Sequence, residues 1–375
     1  MDISSAFDGG NIGVIEARAP DAIRLEIRKD ARADFYQWFY FRLTGARGRD
    51  CVMRITNAGG AAYPAGWQDY RALASHDRKN WFRVDTAYDG AALTIRHRPA
   101  YDAVYYAYFA PYSMARHGDL ITRCLASPHA TLDVPGDSLD GQAIDILYIG
   151  EPKQGRPLCW FLARQHPGET MAEWWMEGFL ERLLDAADPL ASRLRGALCF
   201  AVVPNMNPDG ARRGHLRTNA AGVNLNRAWS QPSLEHSPEV FHVRREMERR
   251  GVDFCLDVHG DEALPYVFIA GPDGIPSLSA RQRELLAGYK QALLAASPDF
   301  QTAHGYPPTA PGKANLAIAT NFIAERFGCL AMTLEQPFKD NADAPDAAFG
   351  WSPERCRALG RAALEALAAI AGKLR

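Results

Sequence analysis

The first third of the chain alternates short apolar runs with polar turns, and no long amphipathic helix pattern interrupts them. The runs are rich in aromatic and β-branched residues, and they read IRLEIR, FYQWFYFRL, CVMRITNAG, WFRVDTAYDGAALTIRH and YDAVYYAYFAPY. Runs of this kind and spacing predict an antiparallel β-sandwich. The Asp89-Gly90 pair predicts a hairpin turn within the fourth run. We expect most of these aromatic side chains to form the core of the sandwich.

Beyond Pro111 the pattern changes to strand-length apolar runs separated by helical segments. The runs read AIDILYIG, PLCWFLARQ, GALCFAVVPN, DFCLDVHG, PYVFIAG and CLAMTLEQP. Helical patterns cover Thr170–Ala187, Glu239–Arg250, Ser279–Ala295, Thr320–Phe327 and Glu354–Lys373, and a short helix is expected at Ser113–Leu120. This alternation predicts an α/β sheet that helices cover on both faces. We therefore predict a β-sandwich domain over residues 1–110 and an α/β domain over residues 111–375.

The stretch from Leu158 to Thr170, LCWFLARQHPGET, predicts a strand, a tight turn and the start of a helix. His166 lies where the strand ends, and Glu169 lies in the first helical turn. Imidazole and carboxylate ligands suit zinc, which takes three protein ligands in catalytic sites. The stretch alone also has an ordinary explanation, because the helix dipole favours a Glu in the first turn.

Other strand ends carry ionisable or polar groups in the same way. The run VDFCLDVHG ends at His259, CLAMTLE ends at Glu335, and GALCFAVVPN leads into a long polar loop. Carboxyl ends of strands in one open α/β sheet meet in one crevice. His166, Glu169 and His259 then form a candidate zinc-binding set, and Glu335 remains as a carboxylate able to move the proton of a water nucleophile.

The polar loop from Asn205 to Trp229 is long and has no clear periodicity, which is typical of a functional segment. Asn226 and Arg227 suit recognition of a carboxylate, and Arg217 could polarise a carbonyl group. Solvated loop charges are the ordinary alternative for both arginines. The sequence NPDG at residues 207–210 is expected to be a plain turn.

Composition narrows the classes of function. The chain has 375 residues and a formal net charge of -2, so no nucleic-acid-binding or anionic-membrane-binding surface is expected. No apolar run reaches membrane-spanning length, and the first residues carry no signal-peptide pattern. The seven cysteines are odd in number and several lie in apolar runs, which favours reduced thiols and a cytoplasmic location.

Five motifs together carry a resemblance to a known family. HPGE, NPDG, GVNLNR, DVHGD and the late TLE look like those of the M14-type zinc metallocarboxypeptidases. The aromatic β-domain in front and the HPGET motif look most like the cytosolic carboxypeptidase branch. The motifs follow the family order between His166 and Glu335, and the front domain extends the resemblance over nearly the whole chain.

The resemblance implies a mixed-sheet carboxypeptidase domain and one Zn²⁺ per chain, bound by His166, Glu169 and His259. It implies Glu335 as general acid/base and Arg217 as the residue that polarises the scissile carbonyl. Asn226 and Arg227 would bind the C-terminal carboxylate of the substrate. The implied reaction removes C-terminal residues from a peptide or protein.

Three departures from the family pattern stand out. Asn224 occupies the position where the family usually has an Asp behind a zinc-binding imidazole. Tyr306 is the nearest candidate for the tyrosine that many members place shortly before the catalytic Glu. The basic residue of deglutamylating members is missing near residues 317–320, and Lys313, Arg326 and Lys339 are the available substitutes. The preference for acidic C-termini therefore stays open.

Two other functions compete with a carboxypeptidase. A zinc amidohydrolase acting on a small N-acyl amino acid or a cell-wall peptide would use the same chemistry on a different substrate. A binding protein that kept the fold would have to lose ligands or the general base, and this sequence has them all. The sequence leaves open whether the chain forms a homo-oligomer.

Overall fold

The computed structural model describes residues 1–150 and 155–374. The front domain consists of ten strands: β1 (Asp2–Ser4), β2 (Gly13–Glu16), β3 (Ile23–Glu26), β4 (Tyr40–Thr44), β5 (Cys51–Ile55), β6 (Leu73–Ser75), β7 (Phe82–Arg83), β8 (Asp85–Tyr88), β9 (Leu93–His97) and β10 (Ala103–Ala107). They form two five-stranded sheets, ordered β1-β4-β10-β6-β7 and β2-β3-β5-β9-β8. All pairs are antiparallel except β3 with β5. The predicted hairpin is confirmed, because Asp89 and Gly90 join β8 to β9.

The α/β domain begins with α1 (Met114–Leu125) and contains one seven-stranded sheet. Its strands are β11 (Ala130–Asp133), β12 (Ile146–Ile149), β13 (Leu158–Ala163), β14 (Cys199–Val203), β15 (Phe254–Val258), β16 (Phe268–Ala270) and β17 (Leu330–Glu335). Their order is β11-β12-β14-β13-β15-β17-β16. The central strands β14, β13, β15 and β17 are parallel, and the outer pairings are antiparallel. The sheet is therefore mixed, as the predicted fold class requires.

Helices cover both faces of this sheet. The remaining helices are α2 (Met171–Leu183), α3 (Pro189–Ala197), α4 (Pro208–Arg213), α5 (Pro238–Arg250), α6 (Ala280–Ala296), α7 (Ala319–Phe327) and α8 (Pro353–Ile370). Strand β13 illustrates the two faces, because Phe161 belongs to the apolar cluster that includes residues of α2, α6 and α8, whereas Trp160 belongs to the cluster that includes residues of α5 and α7. Among the described residues, no helix combines the length and apolarity that crossing a bilayer requires.

Two helices differ from the sequence expectation. Helix α3 was not predicted, although Asp188 before Pro189 is a helix-start signal, and its side chain accepts hydrogen bonds from the N–H groups of Leu190 and Ala191. The NPDG segment is not a plain turn, because Pro208 begins helix α4 and the Asn207 side chain caps it.

The front domain and the α/β domain share one continuous apolar core. The rings of Tyr108 and Phe338 stack across the contact with centroids 4.5 Å apart. The guanidinium of Arg83 is buried and donates to the main-chain carbonyls of Phe338, Lys339 and Trp351, which follow β17. The front domain therefore supports the segment that comes directly after Glu335.

Candidate active site

The turn between β13 and α2 places His166 and Glu169 at the carboxyl edge of the sheet. The buried Arg164 guanidinium donates to the Pro167 carbonyl at 3.0 Å and braces the turn from inside. The N–H of Gly168 donates to the Leu216 carbonyl at 2.9 Å. A Cβ on Gly168 would lie 2.9 Å from that same oxygen, so the close approach of the two segments requires glycine.

Three side chains meet at this edge, two from the turn after β13 and one from the end of β15. Nδ1 of His166 lies 2.7 Å from Oε1 of Glu169, and Nδ1 of His259 lies 2.8 Å from Oε2. The two Nδ1 atoms are 3.2 Å apart. One ligand atom from each of these buried residues lies within 4.8 Å of the others, which makes the cluster a candidate metal site.

The outer nitrogen of each imidazole faces an oxygen atom. Nε2 of His259 lies 2.8 Å from Oδ2 of Asp257, and that oxygen also accepts from the Gln165 amide at 2.5 Å. Nε2 of His166 lies 3.0 Å from Oδ1 of Asn224. Oxygen acceptors at both Nε2 atoms fix the rings so that both Nδ1 atoms point at one place.

The charges of this cluster are strongly coupled. Burial lowers the pKa of His166 to about 4, and Arg217 adds to that effect. Burial alone would lower the pKa of His259, but Asp257 and Glu169 raise it well above its ordinary value. The two histidines in turn overcome the effect of burial on Glu169 and hold its pKa below the ordinary range. The carboxylate is therefore ionised and available as a ligand.

This donor set fits a zinc ion. Two imidazole Nδ1 atoms and a carboxylate converge on one point, and residues outside the cluster already occupy both Nε2 atoms. Three protein ligands of these types characterise catalytic zinc sites, which keep one position open. His and carboxylate also accept other divalent metals, so geometry alone does not select zinc.

Glu335 ends β17 beside the cluster and is 6% exposed. Its Oε2 atom is buried and has no hydrogen-bond partner among the described residues. The hydroxyl of Tyr306 donates to Oδ2 of Asp261 at 2.6 Å and lies 3.2 Å from Oε1 of Glu335. Burial raises the pKa of Glu335 well above its ordinary value, and the positive charge of His259 opposes that rise.

The polar loop brings the three remaining predicted residues to the same cavity. Arg217 is partly buried, and its guanidinium carbon lies 5.3 Å from the ring centre of Tyr63. Asn226 is buried, and its side-chain oxygen accepts from the Ala319 N–H at the start of α7. Arg227 is exposed and donates to the Asn226 carbonyl at 2.7 Å.

All eight predicted site residues line one cavity of about 650 Å³: His166, Glu169, Arg217, Asn226, Arg227, His259, Tyr306 and Glu335. Tyr63 of the front domain also lines it, although no local motif marks that residue in the sequence. The front domain therefore contributes a side chain to the wall of this cavity.

Two further charged residues, Lys290 of α6 and Asp273, also line the cavity. Burial lowers the pKa of Lys290, and Asp273 partly offsets that effect. The described residues that line the cavity do not include Lys313, Arg326 or Lys339. Lys339 instead donates to the Gln68 carbonyl at 2.7 Å. Lys290 therefore takes the place in the cavity wall that the sequence predicted for Lys313, Arg326 or Lys339.

Comparisons with known proteins agree with this fold. The family model of zinc carboxypeptidases matches residues 125–340, and the model of the cytosolic carboxypeptidase N-terminal domain matches residues 3–109. The chain therefore belongs to the zinc carboxypeptidase family, in which it is a metallocarboxypeptidase preceded by an N-terminal domain of the cytosolic carboxypeptidase type.

Relatives cover the chain to different extents. An uncharacterized protein of Zymomonas mobilis is 53% identical over 100% of this chain and 97% of its own length. A metallo-carboxypeptidase of Pseudomonas aeruginosa, solved in complex with (2-guanidinoethylmercapto)succinic acid, is 46% identical with a TM-score of 0.97 and 100% coverage of both chains. Cytosolic carboxypeptidase 3 of Mus musculus is 27% identical over 72% of this chain, but the match spans only 30% of that longer protein.

Proposed function

We propose that this metallocarboxypeptidase binds one zinc ion and removes C-terminal residues from peptides or proteins. The observation that carries the proposal is one cavity with three functional parts. It contains a metal-ligand cluster, a buried carboxyl beside that cluster, and the cationic groups of the polar loop. A peptide C-terminus presents the matching groups, namely a scissile carbonyl and a free carboxylate one residue away.

His166, Glu169 and His259 would hold the zinc ion through two Nδ1 atoms and a carboxylate. When bound, zinc polarises a carbonyl group and lowers the pKa of a water molecule. Asp257 accepts the outer proton of His259 and so keeps its Nδ1 atom available to the metal. Asn224 has the corresponding place behind His166.

Glu335 is assigned as the general acid/base. Its buried Oε2 atom has no partner among the described residues, so it is available to accept the proton of an attacking water molecule. The same carboxyl group can then deliver that proton to the amine of the leaving residue. The Tyr306 hydroxyl lies 3.2 Å from Oε1, so Tyr306 is assigned to orient this carboxyl and contact the substrate.

Arg217 is assigned to the scissile carbonyl. It lines the cavity that contains the metal-ligand cluster, and its guanidinium lies against aromatic rings of the front domain. A positioned cation of this kind stabilises the oxyanion that develops as the carbonyl carbon becomes tetrahedral.

Asn226 and Arg227 are assigned to the C-terminal carboxylate. The Asn226 side chain is fixed by the Ala319 N–H, and Arg227 is anchored through the Asn226 carbonyl. A guanidinium and a neighbouring amide can bind both oxygens of one carboxylate. This pair would set the distance between the C-terminus of the substrate and the metal.

We propose that the two domains divide near residue 110, between the end of β10 and the start of α1. We also propose a cytoplasmic location, because all seven cysteines are buried as reduced thiols would be. The amidohydrolase alternative uses the same residues on a small N-acyl amino acid or cell-wall peptide. The cavity volume of about 650 Å³ accommodates either substrate class, so activity has to separate them.

The test combines metal analysis with a substrate panel. The purified protein is assayed for zinc content and incubated with peptides that end in acidic, basic or apolar residues, alongside N-acyl amino acids and cell-wall peptides. One zinc per chain with stepwise release of C-terminal residues is the expected result. Zinc-dependent cleavage of the N-acyl amino acids or cell-wall peptides alone would favour the amidohydrolase, and a protein without zinc or turnover would overturn both.

A further inference from the structure

A tight turn of the front domain, residues 30–35, contacts the backbone that carries Arg217. The N–H of Asp30 donates to the Phe35 carbonyl at 2.8 Å, which closes the turn. Arg32 inside the turn has a left-handed backbone, with φ of 59°. The Asp30 side chain is 2% exposed and is directed into the polar loop of the α/β domain.

The Asp30 carboxylate accepts four hydrogen bonds from three consecutive residues. Its Oδ1 atom accepts from the Leu216 N–H at 2.7 Å. Its Oδ2 atom accepts from the Arg217 N–H at 2.8 Å, the Thr218 N–H at 2.9 Å and the Thr218 hydroxyl at 3.1 Å. Hydrogen bonds to an ionised acceptor are stronger than those to a neutral one. A single front-domain carboxylate therefore fixes the main chain on both sides of Arg217.

Two further contacts hold the turn against the same loop. The Ala31 N–H donates to Nε2 of His215 at 3.1 Å, so Nδ1 of His215 carries the proton and donates to the Thr218 carbonyl at 2.9 Å. A Cβ on Gly222 would lie 2.5 Å from the Arg32 carbonyl oxygen, so the two backbones touch there. The turn thus contacts the loop before and after Arg217.

The Arg217 side chain is also held by the front domain. Its guanidinium carbon lies 5.8 Å from the ring centre of Phe35 and 5.3 Å from that of Tyr63. On the opposite side, the Leu216 carbonyl accepts from Gly168 in the turn that carries His166 and Glu169. The Arg217 segment is therefore clamped between the front domain and the metal-ligand turn.

We propose that Asp30 is a positioning residue, through which the front domain aims the Arg217 guanidinium at the reacting carbonyl. This inference rests on the proposed role of Arg217 in carboxypeptidase turnover. Asp30 does not line the cavity, so it acts through the backbone of Leu216–Thr218. Displacing this guanidinium by about 1 Å can lower the rate of the reaction on the order of a hundredfold, because transition-state stabilisation depends on where the group lies.

The test is a double-mutant cycle measured on the zinc-loaded full chain. Asp30→Asn keeps the size of the side chain but removes the charge and turns a donor toward the loop. In the natural background we expect kcat to fall about 10- to 100-fold with little change in KM. In the Arg217→Ala background the same change should lower kcat less than threefold, because the residue it positions is already gone. Equal falls in the two backgrounds would overturn the proposal.

Amide hydrogen exchange supplies a readout that does not depend on turnover. Asp30→Asn should speed exchange of the Leu216, Arg217 and Thr218 amides at least tenfold and leave β13 unchanged. Unaltered exchange at these three amides contradicts the proposal. Thr218→Val removes only the hydroxyl donor and should give a smaller fall in kcat. This variant replaces Asp30→Asn in the test if Asp30→Asn does not fold. An unchanged kcat in Thr218→Val would count against the proposal.

Asp77→Asn is the matched control. Asp77 is an exposed front-domain carboxylate that accepts main-chain N–H groups of Lys79 and Asn80 in its own turn. The Asp77→Asn variant should leave both kcat and the amide exchange of the Arg217 segment unchanged. If the natural protein with zinc trims no peptide, the proposed function fails, whereas the exchange measurement still decides whether Asp30 holds the segment.

Discussion

Nε2 of His166 lies 3.0 Å from the side-chain oxygen of Asn224, whereas Nε2 of His259 lies 2.8 Å from the carboxylate of Asp257. One imidazole of the ligand cluster therefore faces a neutral amide, and the other faces a charge. An anionic partner makes an imidazole a more basic metal ligand. The asymmetry follows directly from Asn224, which the sequence marks as a departure from the family pattern.

Asn224→Asp should consequently tighten zinc binding. We expect the zinc dissociation constant to fall roughly 10- to 100-fold, which is the usual effect of an outer-shell partner. Competition with a chromogenic chelator measures the constant. Asn80→Asp, an exposed change in the front domain, serves as the control and should leave it unaltered. Equal or weaker zinc binding by Asn224→Asp would contradict this account of the cluster.

Glu335→Gln should separate metal binding from catalysis. The amide keeps the shape of the side chain but cannot accept and return a proton, so kcat should fall about 10²- to 10⁴-fold. Zinc content should stay at the natural level, since Glu335 is not part of the metal-ligand cluster. Turnover assays beside metal analysis measure both quantities.

Glu239→Gln provides the matched control for that experiment. Glu239 is a fully buried carboxyl near Asn219, and burial raises its pKa to about 7. It does not line the cavity, so kcat should remain close to that of the natural protein. A comparable loss in both variants would mean that removing a buried carboxyl, rather than a general base, explains the effect.

The charges of Lys290 and Asp273 in the cavity wall should influence which C-terminal residue is removed. Lys290→Ala leaves Asp273 as the nearby charge and should lower kcat/KM for peptides ending in Glu relative to Leu, by about tenfold for one lost ion pair. Asp273→Ala should shift the ratio in the opposite direction. Both ratios are measured on peptides that differ only in the last residue. Unchanged ratios in both variants would show that the substrate senses neither charge.

The buried His117 should make stability depend on pH. Burial alone would lower its pKa, but hydrogen bonds to Asp145 at 3.0 Å and Glu173 at 2.6 Å raise it to about 9. Glu173 also binds the Arg164 guanidinium, which is the other buried cation at this carboxylate. A raised histidine pKa stabilises the fold fully below the unfolded value near 6.5, and the contribution disappears as pH rises through 9.

His117→Gln isolates that contribution. Its free energy of unfolding should fall below that of the natural protein by on the order of 3 kcal/mol at pH 6, with the difference shrinking steadily toward pH 10. Urea denaturation at each pH measures the difference. A gap that stays constant or widens with rising pH would mean that His117 is neutral in the folded protein.

The convergence of the candidate site could be predicted because its residues follow in-register parallel strands. Ala163 pairs with Val258, and Val258 pairs with Leu334, so the ends of β13, β15 and β17 lie side by side. Each of these strands is a recognisable apolar run. Once the sheet forms, a polar residue at the end of such a run lies at the carboxyl edge of the sheet, which brings His166 and its partners together.

Asp30, Tyr63 and Lys290 could not be found in this way. Lys290 lies on α6, and whether a helical lysine faces a cavity depends on how the helix is rotated against the sheet. Asp30 and Tyr63 belong to the front domain, and their contacts join residues far apart in the chain. Such contacts arise from the docking of two domains, for which a local pattern carries no signal.

All seven cysteines are buried in the described residues, and burial raises the pKa of most of these thiols, including Cys159 and Cys255 in the central sheet. A thiol-directed reagent therefore reaches them only when the fold opens. Because Cys51 lies in the front domain and Cys356 in α8, the labelling rate at each site reports the opening of its own region. The natural chain thus carries internal probes that can show whether the two domains open together or one at a time.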